Sequence, residues 1–312
     1  MVVVIAACVV VAVVAALVRP RQPEPEYGGK SLSQWLELCS TYSDDSVAEV
    51  GEAASAVRHM GTNALPFLVS WISYSAPAWK LQAFNLCSRA HWQRGMDYVW
   101  KPVVRADHRA EMALSGFPIL REEASPAIPD LVRVMHCWRT DPSRRAIQAL
   151  HCLGTAGLPP LLAVVTNGAV NVRFRQQALI SISRMNYLGT NASPAVPILI
   201  HCLDDPRLAE NAAVALGRLT LDSEHAVPAL VTCIDHYKPA SKETFAAIDS
   251  LAMFRGEARA AVPVLVSITN NPTVALDPRG GSAVAYFVHA LAALEQIAPE
   301  VFRQKGHEGG NH

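Results

Sequence analysis

Apolar residues recur with a helical period along most of this chain, and the pattern is repeated around six prolines. In each copy the residue two positions before proline is small, the residue one before is apolar, and the residue two after is leucine. Mostly apolar residues at the third, fifth and sixth positions after proline complete a stripe along one helix face. Since proline is tolerated in the first turn of a helix, each copy predicts that a helix begins there. The six prolines are Pro66, Pro129, Pro159, Pro197, Pro228 and Pro263.

The spacing of the prolines predicts a repeated pair of helices. Successive prolines lie 63, 30, 38, 31 and 35 residues apart. The first interval is about twice the others, so we expect a degenerate unit within it and an irregular, Trp-rich insertion at 73–112. One helical hairpin is too thin to bury its apolar stripe alone, so neighbouring hairpins must stack. The predicted fold is therefore all-α, an α-solenoid of about seven antiparallel helical hairpins preceded by an N-terminal hydrophobic helix.

Two further positions of the repeat predict where the first helix of each unit ends and which residue of the second helix faces solvent. Gly61, Gly154 and Gly189 follow the last apolar residue of a first helix, where a left-handed residue commonly ends the helix. The fourth residue after each proline is mostly polar or small, so we expect this position to face outward. The six residues at this position are Ser70, Arg133, Ala163, His201, Thr232 and Ser267.

These helix ends and helix starts resemble those of the HEAT and HEAT-like repeat families. The matching segments include A-x-x-A-L-x-x-L-G at 146–154 and A-V-P-x-L at 226–230, and the resemblance covers roughly 46–300. It implies a superhelix that serves mostly as a binding surface, and it carries no catalytic residue to transfer. Some HEAT-like proteins act on DNA bases or attach bilin chromophores. An enzyme of that kind is an alternative, and its base-acting form would need Trp138 and Asp141 together in a basic groove.

Residues 2–18 contain no polar side chain apart from one cysteine. A helix of this length spans about 26 Å, close to the roughly 30 Å hydrocarbon core of a bilayer. We therefore expect a single-pass membrane anchor, with a cleaved signal segment as the alternative. Arg19 and Arg21 follow the segment and favour a cytoplasmic body, whereas signal cleavage would give an exported one. The predicted organisation is an anchor or signal at 1–18, a Pro-rich tether at 19–30, repeats at 31–304 and a disordered tail at 305–312.

The overall charge of the chain limits what it can bind. Twenty-seven basic residues balance 27 acidic ones, which argues against gripping nucleic acid by bulk charge. The charges are uneven, however, because 78–185 carries 14 basic and 7 acidic residues and contains four of the six tryptophans. Arginine together with aromatic residues is typical of interface hot spots. We therefore expect an unidentified protein partner on the outward face of the second helices or on the insertion, and no nucleic acid.

No motif indicates a catalytic, cofactor or metal site. Histidine and cysteine are adjacent at 136–137, 151–152 and 201–202, and neighbouring side chains on a helix diverge by about 100° instead of converging on a metal. The seven cysteines show no paired spacing and are interpreted as reduced thiols. The predicted function is a non-catalytic protein-binding or scaffolding module tethered to a membrane, with a purely structural spacer as a further alternative. The candidate partner-binding residues are Arg133, Arg144, Arg145, Arg173, Arg175, His201 and His236.

Overall fold

A computed structural model describes residues 23–40, 47–137, 139–270 and 281–308, which are almost wholly helical. The prediction of an all-α protein is thereby confirmed. The predicted hydrophobic helix at 2–18 lies outside the described residues. Within the part of the chain that is described, no helix is both long and apolar enough to cross a bilayer.

The helices follow one another with short connections. The first group is α1 (Leu32–Ser40), α2 (Val47–Met60), α3 (Leu65–Ile72), α4 (Ala78–Arg89), α5 (Gln93–Leu114) and α6 (Gly116–Leu120). The second is α7 (Ile128–Met135), α8 (Thr140–His151), α9 (Leu158–Thr166), α10 (Val172–Ser183), α11 (Val196–Cys202) and α12 (Ala209–Leu219). The last is α13 (Ser223–His236), α14 (Lys242–Phe254), α15 (Val262–Asn270), α16 (Gly281–Ile297) and α17 (Pro299–Glu308). Segments of 3₁₀ helix are Gly61–Ala64, Arg121–Ala127, Gly154–Gly157, Asn186–Ala195 and Arg255–Ala261.

A small antiparallel hairpin precedes the helices and is fixed to them. Strands β1 (Glu26–Tyr27) and β2 (Lys30–Ser31) pair with Tyr27 opposite Lys30. The buried Trp35 of α1 donates its indole N–H to the carbonyl oxygen of Tyr27 at 3.0 Å. The Tyr27 ring lies 4.4 Å from that of His59 on α2. The leader is therefore part of the folded N-terminal end of the molecule.

From α8 onward, the first helix of each unit packs on the first helix of the next. Helix α8 contacts α10, α10 contacts α12, α12 contacts α14, and α14 contacts α16. Small residues bring these helices close together: a Cβ on Gly217 of α12 would lie 2.6 Å from the side chain of Ser250 on α14. Ser250 in turn donates its hydroxyl to the carbonyl oxygen of Ala213 at 2.7 Å. The second helices are those that contain the six prolines, namely α3, α7, α9, α11, α13 and α15. Each second helix also contacts the first helix of the following unit, so the units share one continuous core.

The burial of the repeat positions agrees with the sequence pattern in all six copies. The small residue two positions before proline is buried each time, and at Gly157 a Cβ would lie 1.9 Å from the carbonyl oxygen of Leu150. The residue four positions after proline is exposed in every copy, as predicted. The leucine two positions after proline is fully buried every time. These leucines are Leu68, Leu131, Leu161, Leu199, Leu230 and Leu265.

Each of the six first helices is followed by a residue with positive φ, and α12 is followed by two, Thr220 and Asp222. Gly61, Gly154 and Gly189 have positive φ, as predicted for residues that end a helix. The other three units use residues that carry a side chain, and the sequence pattern had not identified them. They are Arg121 (φ +49°), Thr220 (φ +48°) and Arg255 (φ +52°).

Three details differ from the sequence prediction. The 73–112 insertion is not irregular but consists of helix α4 and most of the long helix α5, which accommodates Pro102 in its interior. Pro228 does not open a helix, because α13 already begins at Ser223 and Pro228 lies more than one turn inside it. Helix α17 continues to Glu308 and includes the first four residues of the predicted disordered tail.

Candidate partner-binding surfaces

Two surfaces carry the residues that could bind a partner: the outward positions of the second helices, and the helical insertion α4–α5. On the second helices Arg133 is exposed and forms an ion pair with Asp130 at 2.6 Å on its own helix. His201 is exposed, with Nδ1 3.9 Å from Oδ2 of Asp204. His236 is also exposed, and its ring is perpendicular to the Tyr237 ring with the centroids 5.0 Å apart.

The second helices contact one another much less than the first helices do. Their exposed positions therefore lie on separate ridges, one for each unit. The row of outward residues mixes arginine and histidine with serine, threonine and alanine. Such a surface offers many small contacts and few charges.

The structure places the four clustered arginines in different environments. Arg173 is exposed, whereas Arg144 is partly buried and bonded to Glu111. Arg175 is mostly buried and donates from Nε to the carbonyl oxygen of Val165 at 2.8 Å. Arg145 is 1% exposed, so its guanidinium is not available to a partner. Of the four, Arg173 is the one whose side chain lies largely in solvent.

Arg145 instead joins helix α8 to the insertion. Its Nε donates to Oε1 of Glu111 at 2.9 Å, and its Nη2 forms an ion pair with Asp107; both acids belong to α5. Its Nη1 donates to the carbonyl oxygen of Tyr74 at 3.0 Å. All these bonds fix the planar guanidinium in one orientation, which a lysine could not reproduce. The sequence pattern had grouped Arg145 with a solvent-facing basic cluster because its acidic partners lie more than 30 residues away.

The insertion differs from the rest of the described chain in what it leaves exposed. On α4 the side chains of Trp79 and Leu86 are 62% and 69% exposed, and they lie at positions i and i+7, so they share a helix face. Tyr98 of α5 is 84% exposed and Trp92, just before α5, is 61% exposed. Large apolar side chains that cluster with this exposure normally mark a surface that contacts something else.

Cations lie beside these aromatic side chains. A groove of about 550 Å³ runs between α4 and α5, with Trp79, Tyr98 and Pro102 among its walls. Lys80, Lys101, Arg105 and one acid, Asp97, also line it. Asp97 is paired with Lys101 at 3.2 Å. We refer to the groove residues Trp79, Lys80, Tyr98, Lys101 and Arg105, together with Leu86 on the Trp79 face of α4, as the aromatic–basic surface.

The tryptophans of the insertion are visible in the sequence, whereas the other residues of this surface need the helices to be known. The i, i+7 spacing of Trp79 and Leu86 was a usable signal. So was the spacing of Tyr98, Lys101 and Arg105, which brings all three to one face of a helix. Both spacings place residues on one face only if the segment is helical, and the sequence predicts an irregular segment there.

Three of the described cysteines are held in the thiol form by burial. All six are free thiols, and burial raises the pKa of Cys202 and of Cys233 to about 11. Burial also raises the pKa of Cys152 to about 11, although its sulfur lies 3.6 Å from Nε2 of His151. A thiol that resists ionisation is a poor nucleophile and a poor metal ligand.

Metal binding and base-acting catalysis would each need a specific group of residues. No group of three or more His, Cys, Asp or Glu that could hold a metal ion occurs in the described part of the chain. The pair required for a base-acting enzyme includes Trp138, which lies outside the described residues.

Comparison with known proteins adds no identification. The sequence matches no protein-family model and no curated protein. The functional interpretation therefore depends on the geometry described above.

Proposed function

We propose that this chain is a HEAT-like α-solenoid that acts as a non-catalytic scaffold and holds a protein partner along its second helices. The observation that carries the proposal is the agreement among six units. In each, the residue four positions after proline is exposed, while the leucine two positions after it is fully buried. A partner that crosses several units would meet an equivalent position in each of them. This is how repeat arrays generate extended binding surfaces from small contacts.

Site-specific photo-crosslinking tests this proposal on the whole chain in its own cells. A photoreactive amino acid is placed at Ala163, Thr232 or Ser267, which are exposed, uncharged and on three different second helices. The matched control is Met253, which is 55% exposed but belongs to a first helix. We expect one and the same adduct from at least two of the three positions and none from Met253. Equal labelling from all four positions, or different adducts from each, would contradict the proposal.

We further propose that residues 2–18 tether this scaffold to a membrane and that its body is cytoplasmic. The support is the uninterrupted apolar sequence of this segment and the two arginines that follow it. Reporter fusions at the C-terminus, one active only in the cytoplasm and one only outside it, test the orientation. Activity of the external reporter alone would reverse it and would favour an exported body.

A further inference from the structure

We propose that the aromatic–basic surface of α4–α5 binds the interfacial region of a bilayer that contains anionic phospholipid. The inference rests on the membrane tether proposed above and adds a second, specific contact with the same membrane. It concerns a surface and a partner class different from those of the second helices.

The side chains on this surface are those that a membrane interface favours. Tryptophan and tyrosine combine an apolar ring with a polar edge, and they concentrate where hydrocarbon meets headgroups. Trp79, Leu86 and Tyr98 are all more than half exposed, so burying them in the bilayer removes apolar area from water without unpacking the core. Lysine and arginine beside them can extend toward phosphates while their stems stay in the apolar layer.

The charge of the surface selects an anionic bilayer over a neutral one. Between 78 and 105 the chain has five cations and one acid, Asp97. Two more acids of α5, Asp107 and Glu111, lie farther along the helix and are engaged by Arg145 and Arg144. The insertion therefore keeps a net positive face, and each cation close to an anionic leaflet adds to the attraction.

The position of the insertion in the fold is consistent with a membrane contact. The leader hairpin is fixed to α1 and α2, and α1 contacts α5. Only four residues, 19–22, separate the apolar segment 2–18 from the first described residue, Pro23. Even fully extended, the chain from Val18 to Pro23 can cover no more than about 18 Å. A bilayer that holds 2–18 would therefore lie next to the end of the molecule that carries α4–α5.

Other exposed apolar residues of the described chain lack this combination of aromatic rings and cations. Val284 and Val288 lie one turn apart on α16, but neither is aromatic. Tyr187 is exposed, but its hydroxyl donates to the carbonyl oxygen of His151 and so is fixed to the repeats. Met253 is a single exposed apolar side chain on α14, and single residues of this kind are ordinary on protein surfaces. Exposed aromatic residues beside several cations are found on the insertion.

Hydrogen–deuterium exchange of the whole chain on vesicles tests the proposal. The chain is mixed with vesicles of phosphatidylcholine, or with vesicles of phosphatidylcholine and phosphatidylglycerol in equal amounts, and bound protein is collected by flotation. We expect amides at 78–105 to exchange at least about tenfold more slowly on the anionic vesicles than on the neutral ones. Amides at 196–236, on the second helices and their neighbours, should exchange at the same rate on both.

A charge-reversed variant and a matched control distinguish lipid binding by this surface from attraction of any exposed cation to an anionic bilayer. In Lys80→Glu/Arg105→Glu the difference between the two kinds of vesicle at 78–105 should disappear. In Arg133→Glu/Arg173→Glu, which reverses two exposed cations of the repeats, the difference should remain. Near-native circular dichroism and thermal unfolding of both variants would confirm that they fold.

The outcomes distinguish this inference from the proposed tether. If the chain floats with both kinds of vesicle and 78–105 exchanges equally on both, the tether stands and the inference is wrong. If the chain floats only with anionic vesicles and Lys80→Glu/Arg105→Glu abolishes flotation, the inference stands and the tether is wrong. Flotation with neither overturns both. Protection of 78–105 that requires an added protein instead of anionic lipid also overturns the inference, and identifies a protein-docking surface.

Discussion

The repeat region and the insertion both contain large apolar residues, but the repeats bury them and the insertion exposes several of them. At 128–270 leucine and other apolar residues occupy fixed positions of the repeat and are buried between neighbouring helices. In the insertion, the apolar residues Trp79, Leu86 and Tyr98 project into solvent, and α4 has only Cys87 buried. The difference shows that apolar sequence alone does not specify core. A neighbouring unit must lie where the apolar face points, and among the described helices α4 packs mainly on α5.

The largest expected effect is the difference in stability between two leucine-to-alanine variants. Leu161→Ala removes a fully buried side chain at the recurrent leucine position of the repeat, and we expect a loss of about 3 kcal/mol in the free energy of unfolding. Leu86→Ala, on the exposed face of α4, should change it by less than about 0.5 kcal/mol. Urea unfolding followed by circular dichroism measures both. A similar loss in the two variants would show that the insertion buries Leu86 after all.

The second prediction concerns the residue that connects the two regions. Arg145→Ala leaves its acidic partners Asp107 and Glu111 about half exposed, so they stay hydrated and the expected cost is about 2 kcal/mol. Because the lost bonds join α5 to α8, amide exchange at 93–114 should accelerate more than exchange at 209–254. The control is Arg133→Ala, which breaks an exposed ion pair and should cost less than about 1 kcal/mol. Uniform acceleration along the chain would argue against a local role.

The third prediction tests the backbone that ends the first helices. Arg255 has φ +52° and ψ −133°, a conformation that glycine adopts much more readily, so Arg255→Gly should stabilise the protein by about 1 kcal/mol. Gly61 has φ +53°, and a Cβ added there would meet no other atom within 4 Å. Gly61→Ala should therefore destabilise the protein by about 1 kcal/mol through the backbone alone. Thermal unfolding shows whether each variant is more or less stable than the parent chain. A destabilised Arg255→Gly variant would mean that the arginine side chain makes a compensating contact.

The fourth prediction concerns a difference in local opening, measured by alkylation at pH 8. Cys87 of α4 is buried in the insertion, and Cys202 and Cys233 are buried in the repeats. Since α4 packs mainly on α5, it should open more often, and iodoacetamide should label Cys87 before the other two. Each rate is divided by the rate of the same cysteine in urea, so that the comparison reports how often each thiol becomes accessible. Equal normalised rates would show that the insertion is as stable as the repeats.

The raised pKa values of Cys202 and Cys233 predict a dependence of stability on pH. A thiol whose pKa is raised by folding stabilises the native state fully below the unfolded pKa of about 9. That contribution is lost as the pH rises from 9 to 11. The double variant Cys202→Ala/Cys233→Ala should therefore lose less stability than the parent chain over this interval in urea titrations.

The candidate site could be predicted only in part. The sequence indicated that Arg133, His201 and Thr232 face outward, because a helical period relates them directly to buried leucines. It could not indicate that Arg145 is buried, since the ion pairs that bury it come from a helix 34 to 38 residues away. Nor could it show that Trp79 and Tyr98 line one groove, because they belong to different helices.

The sequence by itself determined the helical character, the unit length and the inward and outward positions of each repeat. These follow from local physics: the period of the helix, proline near a helix start and a left-handed residue at a helix end. Only the tertiary structure decided which apolar faces find a neighbour and which charges find a partner. The repeats bury Leu161 because the helices that cover it are supplied by adjacent units, whereas Leu86 stays exposed because no described helix covers that side of α4. Burial is a property of the assembled helices, and no single segment encodes it.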